Sequence, residues 1–275
     1  QKKVPFKVIS YKKEIIKYNP DYIVVSNSTS KHIEYINFLE KNLKKKIILV
    51  EKPISNKHKK LKLKNNKYIV GYNLRFHPVI QFIKKKIKMK NIHFISINVS
   101  SYLPDWRKNI NYFNSNSAKK KFGGGLLLEL SHELDYILWF FGFPKKIFSF
   151  FNKVNVLNID TEEFVRLVFV YNKFLINIKL CFNDKNHEER YCKIIAINKN
   201  IKWNLNDNSL SFYKNNKIEK KIEYKEDKLL LKKEIIEFMK KFKKVSIARN
   251  KKNLFNSLML MKLIEKIHKS KVSLV

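Results

Sequence analysis

The first 72 residues alternate continuously apolar segments with polar, helix-forming ones, and this order constrains the fold most. Strands are predicted at Tyr22–Ser26, Ile47–Val50 and Tyr68–Tyr72, with a helix from about Lys31 to Lys45. Strands without polar alternation are typical of parallel sheets that are covered on both faces. Because parallel strands need crossover connections, the pattern predicts an open α/β sheet with right-handed crossovers.

The pattern changes after residue 72, where neighbouring strands are joined by short turns. Such strands favour a mostly antiparallel sheet. The predicted helices of this part are 78–89, 126–142, 225–242 and 253–270, and its predicted strands are 91–102, 146–154, 162–171, 174–182 and 190–205. We therefore predict a parallel-sheet domain at residues 1–71, followed by an α+β domain at residues 72–275.

The net charge of +36, from 59 basic and 23 acidic residues, raises the question of a nucleic-acid partner. Only five of the basic residues are arginine, although its bidentate fork is the favoured donor on nucleic-acid surfaces. The lysines are spread along the chain among Asn, Ile, Phe and Tyr, a composition that A/T-rich codons produce. We expect no specific nucleic-acid partner, only nonspecific, salt-sensitive attraction to polyanions.

The sequence gives no sign of a membrane or metal protein. No apolar run approaches the ~20 residues that a membrane span needs, and residues 1–10 lack the apolar region of a signal peptide. Cys181 and Cys192 have no metal-ligand spacing and provide no disulfide framework. We expect a cytoplasmic protein with no membrane partner and no metal site.

Polar residues follow the predicted parallel strands at the edge where ligands of open α/β folds bind. Lys52, beside Glu51, is either a solvated loop lysine or a proton donor and acceptor for a substrate hydroxyl. The segment 26–32 either caps the next helix or presents hydroxyls and amides to a nucleotide. Asn73 and Arg75 follow the third strand, where Arg75 either anchors a ligand or forms an ion pair.

Trp106 and Arg107 place a flat apolar ring beside a donor fork in a predicted loop. This pair suits a sugar or a nicotinamide ring. The alternative is a partly buried tryptophan with a flanking salt bridge.

Four of the five glycines lie in "GGGLLLELSHELDYILWFFG", residues 123–142. Glycine allows a backbone to approach a ligand closely. His132 and Asp135 are three residues apart, so on a helix they share a face with Glu129. A lone helical histidine is often structural, but the glycine cluster favours a functional site here.

Together these segments resemble the Gfo/Idh/MocA family of NAD(P)-dependent oxidoreductases. The resemblance rests on "PDYIVVSNSTSKH", "VEKPIS", "VGYNLRFHP", "GGGLLLELSHELDYILWFFG" and "LMLMKLIEKIHKS", in family order over nearly the whole chain. "SYLPDWR" with "ELSHELDY" is similar to a sub-group of nucleotide-sugar and surface-polysaccharide pathways. The resemblance implies a partial Rossmann domain followed by a domain for substrate binding and oligomerisation.

The resemblance also implies an enzyme that exchanges a hydride between NAD or NADP and a secondary alcohol of a sugar or nucleotide sugar. Lys52 would help to move the hydroxyl proton, and His132 would act as acid and base or orient the substrate oxygen. Cofactor-binding residues would be Ser26, Asn27, Ser28, Thr29, His32, Glu51, Lys52, Trp106 and Arg107. Substrate-binding residues would be Lys52, Asn73, Arg75, Glu129 and His132. The partners implied are a small sugar-type substrate and further copies of the chain, in a dimer or tetramer.

The sequence departs from the family pattern in two places. The common acid four residues before the histidine corresponds to Leu128, and Glu129 is the nearest carboxylate. No glycine precedes Gly71, so the glycine-rich turn that cradles a pyrophosphate is missing, and so is the ribose-binding acid. We therefore expect the chain to begin inside the Rossmann domain, on the order of 50–70 residues after its start.

Three functions stay open at this point. The first is the oxidoreductase, and the second is a non-catalytic remnant that lacks the pyrophosphate-binding half. The third is a basic protein that binds polyanions, which requires a coherent basic groove.

Overall fold

The computed structural model describes residues 11–86, 91–152, 155–215, 217–224 and 246–273, together with Ile236, Lys240 and Lys244. The helix predicted at 225–242 therefore lies almost wholly outside the described residues. So does the end of the helix predicted at 78–89.

A three-stranded parallel sheet forms the first part of the chain. Its strands are β1 (Tyr22–Val25), β2 (Ile47–Val50) and β3 (Lys67–Val70), with β2 in the middle. Helix α1 (Glu14–Tyr18) precedes β1, and α2 (His32–Asn42) connects β1 to β2. Every residue of β2 is buried, as expected for a central parallel strand. The predicted parallel α/β sheet is confirmed.

A larger, nine-stranded sheet follows. Its strands are β4 (Ile92–Ser100), β5 (Lys146–Asn152), β6 (Phe164–Val170), β7 (Leu175–Cys181), β8 (Glu189–Ala196), β9 (Asn200–Asn204), β10 (Ser209–Lys214), β11 (Lys217–Glu223) and β12 (Lys271–Ser273). Their order is β11-β10-β9-β8-β4-β7-β6-β5-β12. Only the pairs β4–β7 and β5–β12 are parallel, so the predicted α+β part with a mostly antiparallel sheet is confirmed.

The sequence underestimated the number of strands at the end of this sheet. The single strand predicted at 190–205 is the hairpin of β8 and β9. Strands β10 and β11 were not predicted, and for β11 the reason is that it reads "KIEKKIE" and is exposed along almost its whole length at the edge of the sheet. An edge strand with so many charges lacks the apolar pattern that identifies a buried one.

The helices of the second part are α3 (Pro78–Lys86), α4 (Leu126–Glu129), α5 (Ser131–Phe141) and α6 (Ile247–Lys269). The single helix predicted at 126–142 is thus two helices. They are separated at Leu130, whose backbone leaves helical geometry at φ −93° and ψ 28°. None of the helices in the described ranges combines the length and the hydropathy that crossing a bilayer requires.

One hydrophobic core joins the two parts. It includes Ile48 and Val50 of the small sheet, Ile97 of the large sheet and Leu134 of α5, all almost completely buried. Helix α6, from the end of the chain, also packs on β3. The Asn250 side chain accepts a hydrogen bond from the Tyr68 N–H and donates one to the Tyr68 carbonyl, both at 2.8 Å. The domain boundary at residues 71 and 72 stays a prediction, because helix α6 of the second part packs against strand β3 of the first part.

Candidate active site

A cavity of about 300 Å³ brings together residues from four separate segments. Lys52 follows β2, Ser100 is the last residue of β4 and is followed by Ser101, and His132 and Arg190 are the second residues of α5 and β8. Lys52 and His132 are eighty residues apart in the sequence and line the same cavity. The carboxyl end of the parallel strand β2 therefore forms one of its walls.

The Lys52 amine is held against the end of helix α4. Its Nζ donates a hydrogen bond to the backbone carbonyl of Glu129 at 2.6 Å and lies 3.7 Å from the Glu129 Oε2. Both side chains are mostly buried, with 19% and 23% of their surface exposed. Glu129, and not residue 128, thus supplies the carboxylate beside this lysine.

His132 lies at the start of α5 and is held by its surroundings in the neutral form. Its Nδ1 atom is buried and has no hydrogen-bond partner within the described part of the chain. Its ring meets the Tyr72 ring edge to face, with 5.7 Å between centroids. Burial lowers the pKa of His132 well below its usual value, and the charges of Lys52 and Arg190 lower it further. The remaining nitrogen, Nε2, is the one available to a ligand.

Two of the three consecutive glycines, Gly123 and Gly124, are required for close contact between backbone segments. A Cβ on Gly124 would lie 2.0 Å from the Asn116 carbonyl oxygen. A Cβ on Gly123, whose φ is +81°, would lie 2.9 Å from the Ser30 nitrogen and from the Thr29 Cβ. The sequence predicted that these glycines let the backbone approach a ligand closely. In the structure, Gly123 and Gly124 instead lie close to other backbone atoms of the same chain. They let the segment before α4 pack against the loop that follows β1.

Arg75 forms an ion pair with Asp135 and does not line the cavity. Its Nε and Nη2 donate to the two Asp135 carboxylate oxygens at 2.7 and 2.5 Å. Asp135 is 2% exposed, so burial raises its pKa, while the Arg75 charge lowers it. The sequence left two alternatives for Arg75, a ligand contact or an ion pair, and the structure shows the ion pair. Asn73 is also outside the cavity lining.

His32 joins the two loops at the carboxyl edge of the small sheet. Its ring nitrogens lie 2.9 Å from the Pro53 carbonyl oxygen and 2.9 Å from the Asn27 carbonyl oxygen. It is 1% exposed, so it fixes the loop after β1 relative to the loop after β2 and has no free face for a cofactor. Ser28 stands at the start of a short 3₁₀ turn, and its side chain makes no capping hydrogen bond.

The other predicted cofactor residues lie around this edge but mostly outside the cavity lining. Trp106 lines the cavity and packs edge to face on Phe182, with 5.1 Å between ring centroids. Arg107 lines a small neighbouring hollow with Trp106. Glu51 lies at the carboxyl edge of β2 and contacts Gly71, where an added Cβ would be 3.4 Å from the Glu51 Oε2. In the described ranges, no cluster of three or more His, Cys, Asp or Glu side chains could hold a metal ion.

Sequence reasoning missed the wall of the cavity that faces Lys52. Ser100 and Ser101 are 1% and 6% exposed, and their hydroxyls have no hydrogen-bond partner among the described residues. Arg190 is paired with the buried Glu133, its Nε donating to Oε1 at 2.9 Å. The available signal was in "VSSY", where two polar residues follow an alternating strand. Because β4 ends at Ser100, strand alternation does not apply to Ser101, and both residues line the cavity.

A broad basic groove lies on the large sheet, where residues from β8 to β11 line it, apart from the cavity. Lys193, Lys199, Lys202 and Lys214 line it, with Glu219 as its one acidic lining residue in the described part of the chain. Lys202 lies over the Tyr191 ring, 4.8 Å from its centroid. This is the kind of groove that the polyanion-binding alternative requires.

The small parallel sheet, the large mixed sheet and the cavity beside β2 define a class of fold. The structure has the fold of Gfo/Idh/MocA-type oxidoreductases. Among solved structures it is similar to the UDP-N-acetylglucosamine 3-dehydrogenase GnnA from Acidithiobacillus ferrooxidans. The TM-score is 0.71 at 12% identity, over 96% of this chain and 82% of that one.

Two further solved structures share the fold. One is the WlbA dehydrogenase from Bordetella pertussis in complex with NADH and UDP-GlcNAcA, with a TM-score of 0.70 at 14% identity over 94% of this chain and 80% of that one. The other is the transcriptional regulator Gal80p from Kluyveromyces lactis, with a TM-score of 0.75 at 14% identity over 94% and 74%. No family model matches the sequence, and no curated protein matches it either. These identities establish the fold alone.

Proposed function

We propose that this protein is an oxidoreductase that exchanges a hydride between a nicotinamide cofactor, NAD or NADP, and a secondary alcohol of a sugar or nucleotide sugar. The observation that supports this function is that the Lys52 amine and the neutral His132 imidazole share one cavity at the carboxyl end of β2. Solved structures of the same fold include a UDP-N-acetylglucosamine dehydrogenase and a dehydrogenase in complex with NADH and UDP-GlcNAcA.

In this proposal, His132 takes the proton from the substrate hydroxyl. Its lowered pKa keeps the imidazole neutral near pH 7, so that Nε2 can accept a proton. Lys52, fixed by its bond to the Glu129 carbonyl, donates a hydrogen bond to the same substrate oxygen. The Glu129 carboxylate, at 3.7 Å from Nζ, stands in for the acid that the family pattern has at position 128.

The residues present fit one end of the cofactor. The nicotinamide would supply the carbon that receives the hydride. Ser26, Asn27, Ser28, Thr29 and Glu51 would stand beside that ring at the sheet edge, with Trp106 on the cavity side. His32 would be a positioning residue, because its ring nitrogens contact the Asn27 and Pro53 carbonyl oxygens of the two loops. The pyrophosphate end has no matching residues, because no glycine precedes Gly71.

Turnover of the full-length enzyme tests the proposal. We expect Lys52→Met to lower the rate of NAD or NADP reduction by at least 10²-fold with nucleotide sugars, as for loss of a proton-transfer group. Its melting temperature is measured in parallel, so that a loss of folded protein is distinguished from a loss of catalysis. Lys59→Met is the matched control, since Lys59 is an exposed lysine of the same loop. Near-normal turnover in Lys52→Met would remove this residue from the mechanism.

A non-catalytic protein is the second candidate, and the 275 residues do not include the glycine-rich turn. The fold is shared with a transcriptional regulator, so it does not require catalysis. If the turn is needed, the 275-residue chain should produce no change in nicotinamide fluorescence when it is titrated with NADH. Micromolar binding would contradict the expectation that the turn is essential.

A polyanion-binding role is the third candidate, and the basic groove on the large sheet favours it. Binding of single-stranded DNA or heparin should then fall steeply with salt and should weaken in Lys193→Gln with Lys202→Gln. The homo-oligomer predicted from the sequence would bury this same face of the large sheet, and light scattering would test it.

A further inference from the structure

We infer that Ser100 and Ser101 form a subsite for the hydroxyl groups of a neutral sugar and that the cavity selects against acidic sugars. This inference rests on the proposed function, because it names the substrate class of the same cavity. It depends on two independent observations, the unpartnered serine hydroxyls and the pairing of the charges in the lining.

The two serines are adjacent residues of the cavity lining, and the hydroxyls of both are buried without partners among the described residues. Both residues lie at the end of β4 and line the cavity beside His132. A hydroxyl that loses water without gaining a hydrogen bond destabilises the folded protein by about 1–3 kcal/mol. Two such groups side by side indicate that their partner comes from a ligand, which each oxygen would meet after rotation about its Cα–Cβ bond.

The charges in the lining indicate which ligand this is. Each of the two cations in the described cavity lining already lies beside a carboxylate of the chain. Lys52 pairs with Glu129, and Arg190 pairs with Glu133 behind the cavity wall, with 2.8 Å between the Arg190 Nη2 and the Glu133 Oε1. Both cations of the described lining therefore lie beside a carboxylate of the chain, and neither brings an uncompensated charge to a carboxylate on the ligand.

Two further acids, Glu188 and Glu189, also line the cavity. The lining therefore carries three carboxylates, with Glu129, against two cations. Glu189 is itself compensated by Lys179, at 3.3 Å, on the other side of its carboxylate. An acidic sugar would place its carboxylate near like charges with no uncompensated cation beside it, and such an arrangement disfavours the ligand.

A neutral sugar meets none of these penalties. Its hydroxyls donate and accept, as serine hydroxyls do, so one pair of hydroxyls can satisfy Ser100 and Ser101 together. Trp106, which is 38% exposed, offers a flat apolar face for the sugar ring. The reacting hydroxyl would then lie beside His132, next to the pair that the serines bind.

Calorimetric titration with two matched ligands tests the inference. UDP-glucose and UDP-glucuronate differ only in one hydroxymethyl group, which is a carboxylate in the second. We expect the chain to bind UDP-glucose at least tenfold more tightly than UDP-glucuronate. Equal or tighter binding of UDP-glucuronate would overturn the neutral-sugar inference and leave the sugar oxidoreductase standing. Binding of neither ligand would overturn both.

Serine variants test the subsite itself. Ser100→Ala and Ser101→Ala should each weaken UDP-glucose binding by about 3- to 10-fold, the value of one lost hydrogen bond. Their melting temperatures should stay the same or rise, because each change removes an unpartnered buried hydroxyl. Thr161→Val is the control, since the Thr161 hydroxyl is also buried and unpartnered in the described structure but lies outside the cavity. It should leave binding unchanged, and serine variants that bind like the wild type would overturn the subsite.

Discussion

Arg75→Met should destabilise the protein strongly although Arg75 takes no part in the cavity. The substitution leaves the Asp135 carboxylate, which is 2% exposed, without the two hydrogen bonds at 2.5 and 2.7 Å that hold it. Breaking a buried pair by removing one partner destabilises a protein by about 3–5 kcal/mol. For a chain of this size, that loss lowers the melting temperature by about 6–20 °C.

The destabilisation should depend on pH in a definite direction. Burial already raises the pKa of Asp135, and only the Arg75 charge counteracts this. Without Arg75, the folded protein favours the protonated carboxyl more than the unfolded chain does. The free energy of unfolding of Arg75→Met should therefore fall as pH rises above the ordinary aspartate pKa of about 4. Relative to the wild type, the variant should lose less stability at pH 5 than at pH 8.

Urea unfolding at several pH values measures this loss, and two further variants control for it. The double variant Arg75→Met with Asp135→Leu should recover most of the stability, because it leaves no unpaired charge. Lys221→Met breaks an exposed pair with Glu223 and should change stability little. A loss below about 1 kcal/mol in Arg75→Met, or no recovery in the double variant, would refute a structural role for this ion pair.

Three other positions give predictions of different kinds. Gly124→Ala should destabilise the folded protein by about 1–3 kcal/mol or more in a urea titration, because its Cβ would lie 2.0 Å from the Asn116 carbonyl oxygen. Gly71→Ala is the control and should be tolerated, because its Cβ would have no contact under 3.4 Å. Asn250→Ala should destabilise by about 2–5 kcal/mol, since it leaves the N–H and the carbonyl of Tyr68 buried without partners, and faster hydrogen exchange at the Tyr68 amide would identify the cause. Because burial lowers the pKa of His132, the unfolded chain binds the proton more readily than the folded protein does. The free energy of unfolding should therefore fall as pH drops below about 6.5. Its dependence on pH should be weaker in His132→Gln, and an unchanged dependence would contradict the buried neutral imidazole.

The regular parts of the fold could be predicted because their physical cause is local. A fully apolar "IILV" identifies β2 as a central parallel strand, and the alternation in "FVRLVFV" identifies β6. Strand β11 could not be identified in this way, since at the edge of the sheet neither face must be apolar. The break at Leu130 was also invisible, because its neighbours are as apolar as those of an unbroken helix.

Within the candidate site, the sequence indicated which residues lie near the edge of the sheet but not which of them face the cavity. Lys52 and His132 were predicted and share it. Arg75 and His32 were predicted on the same grounds, yet Arg75 binds Asp135 and His32 binds two backbone carbonyls. These partners come from distant parts of the chain, or from backbone atoms that a residue type does not reveal. Ser100 and Ser101 were missed because the pair of polar residues in "VSSY" indicates a site only once the burial of their hydroxyls is known.

The distance between Lys52 and His132 depends on contacts outside the cavity. The Lys52 amine bonds to the last carbonyl of α4, so the position of that helix fixes the position of the amine. Helix α4 is in turn held by the glycine segment, which packs against the loop after β1. Since His132 begins the next helix, one displacement at Gly124 would move the imidazole and the carbonyl together. Because of this coupling, Gly124→Ala should lower the turnover of the folded protein, as Lys52→Met does. Asn250→Ala should instead lower stability and leave the turnover of the folded fraction nearly intact.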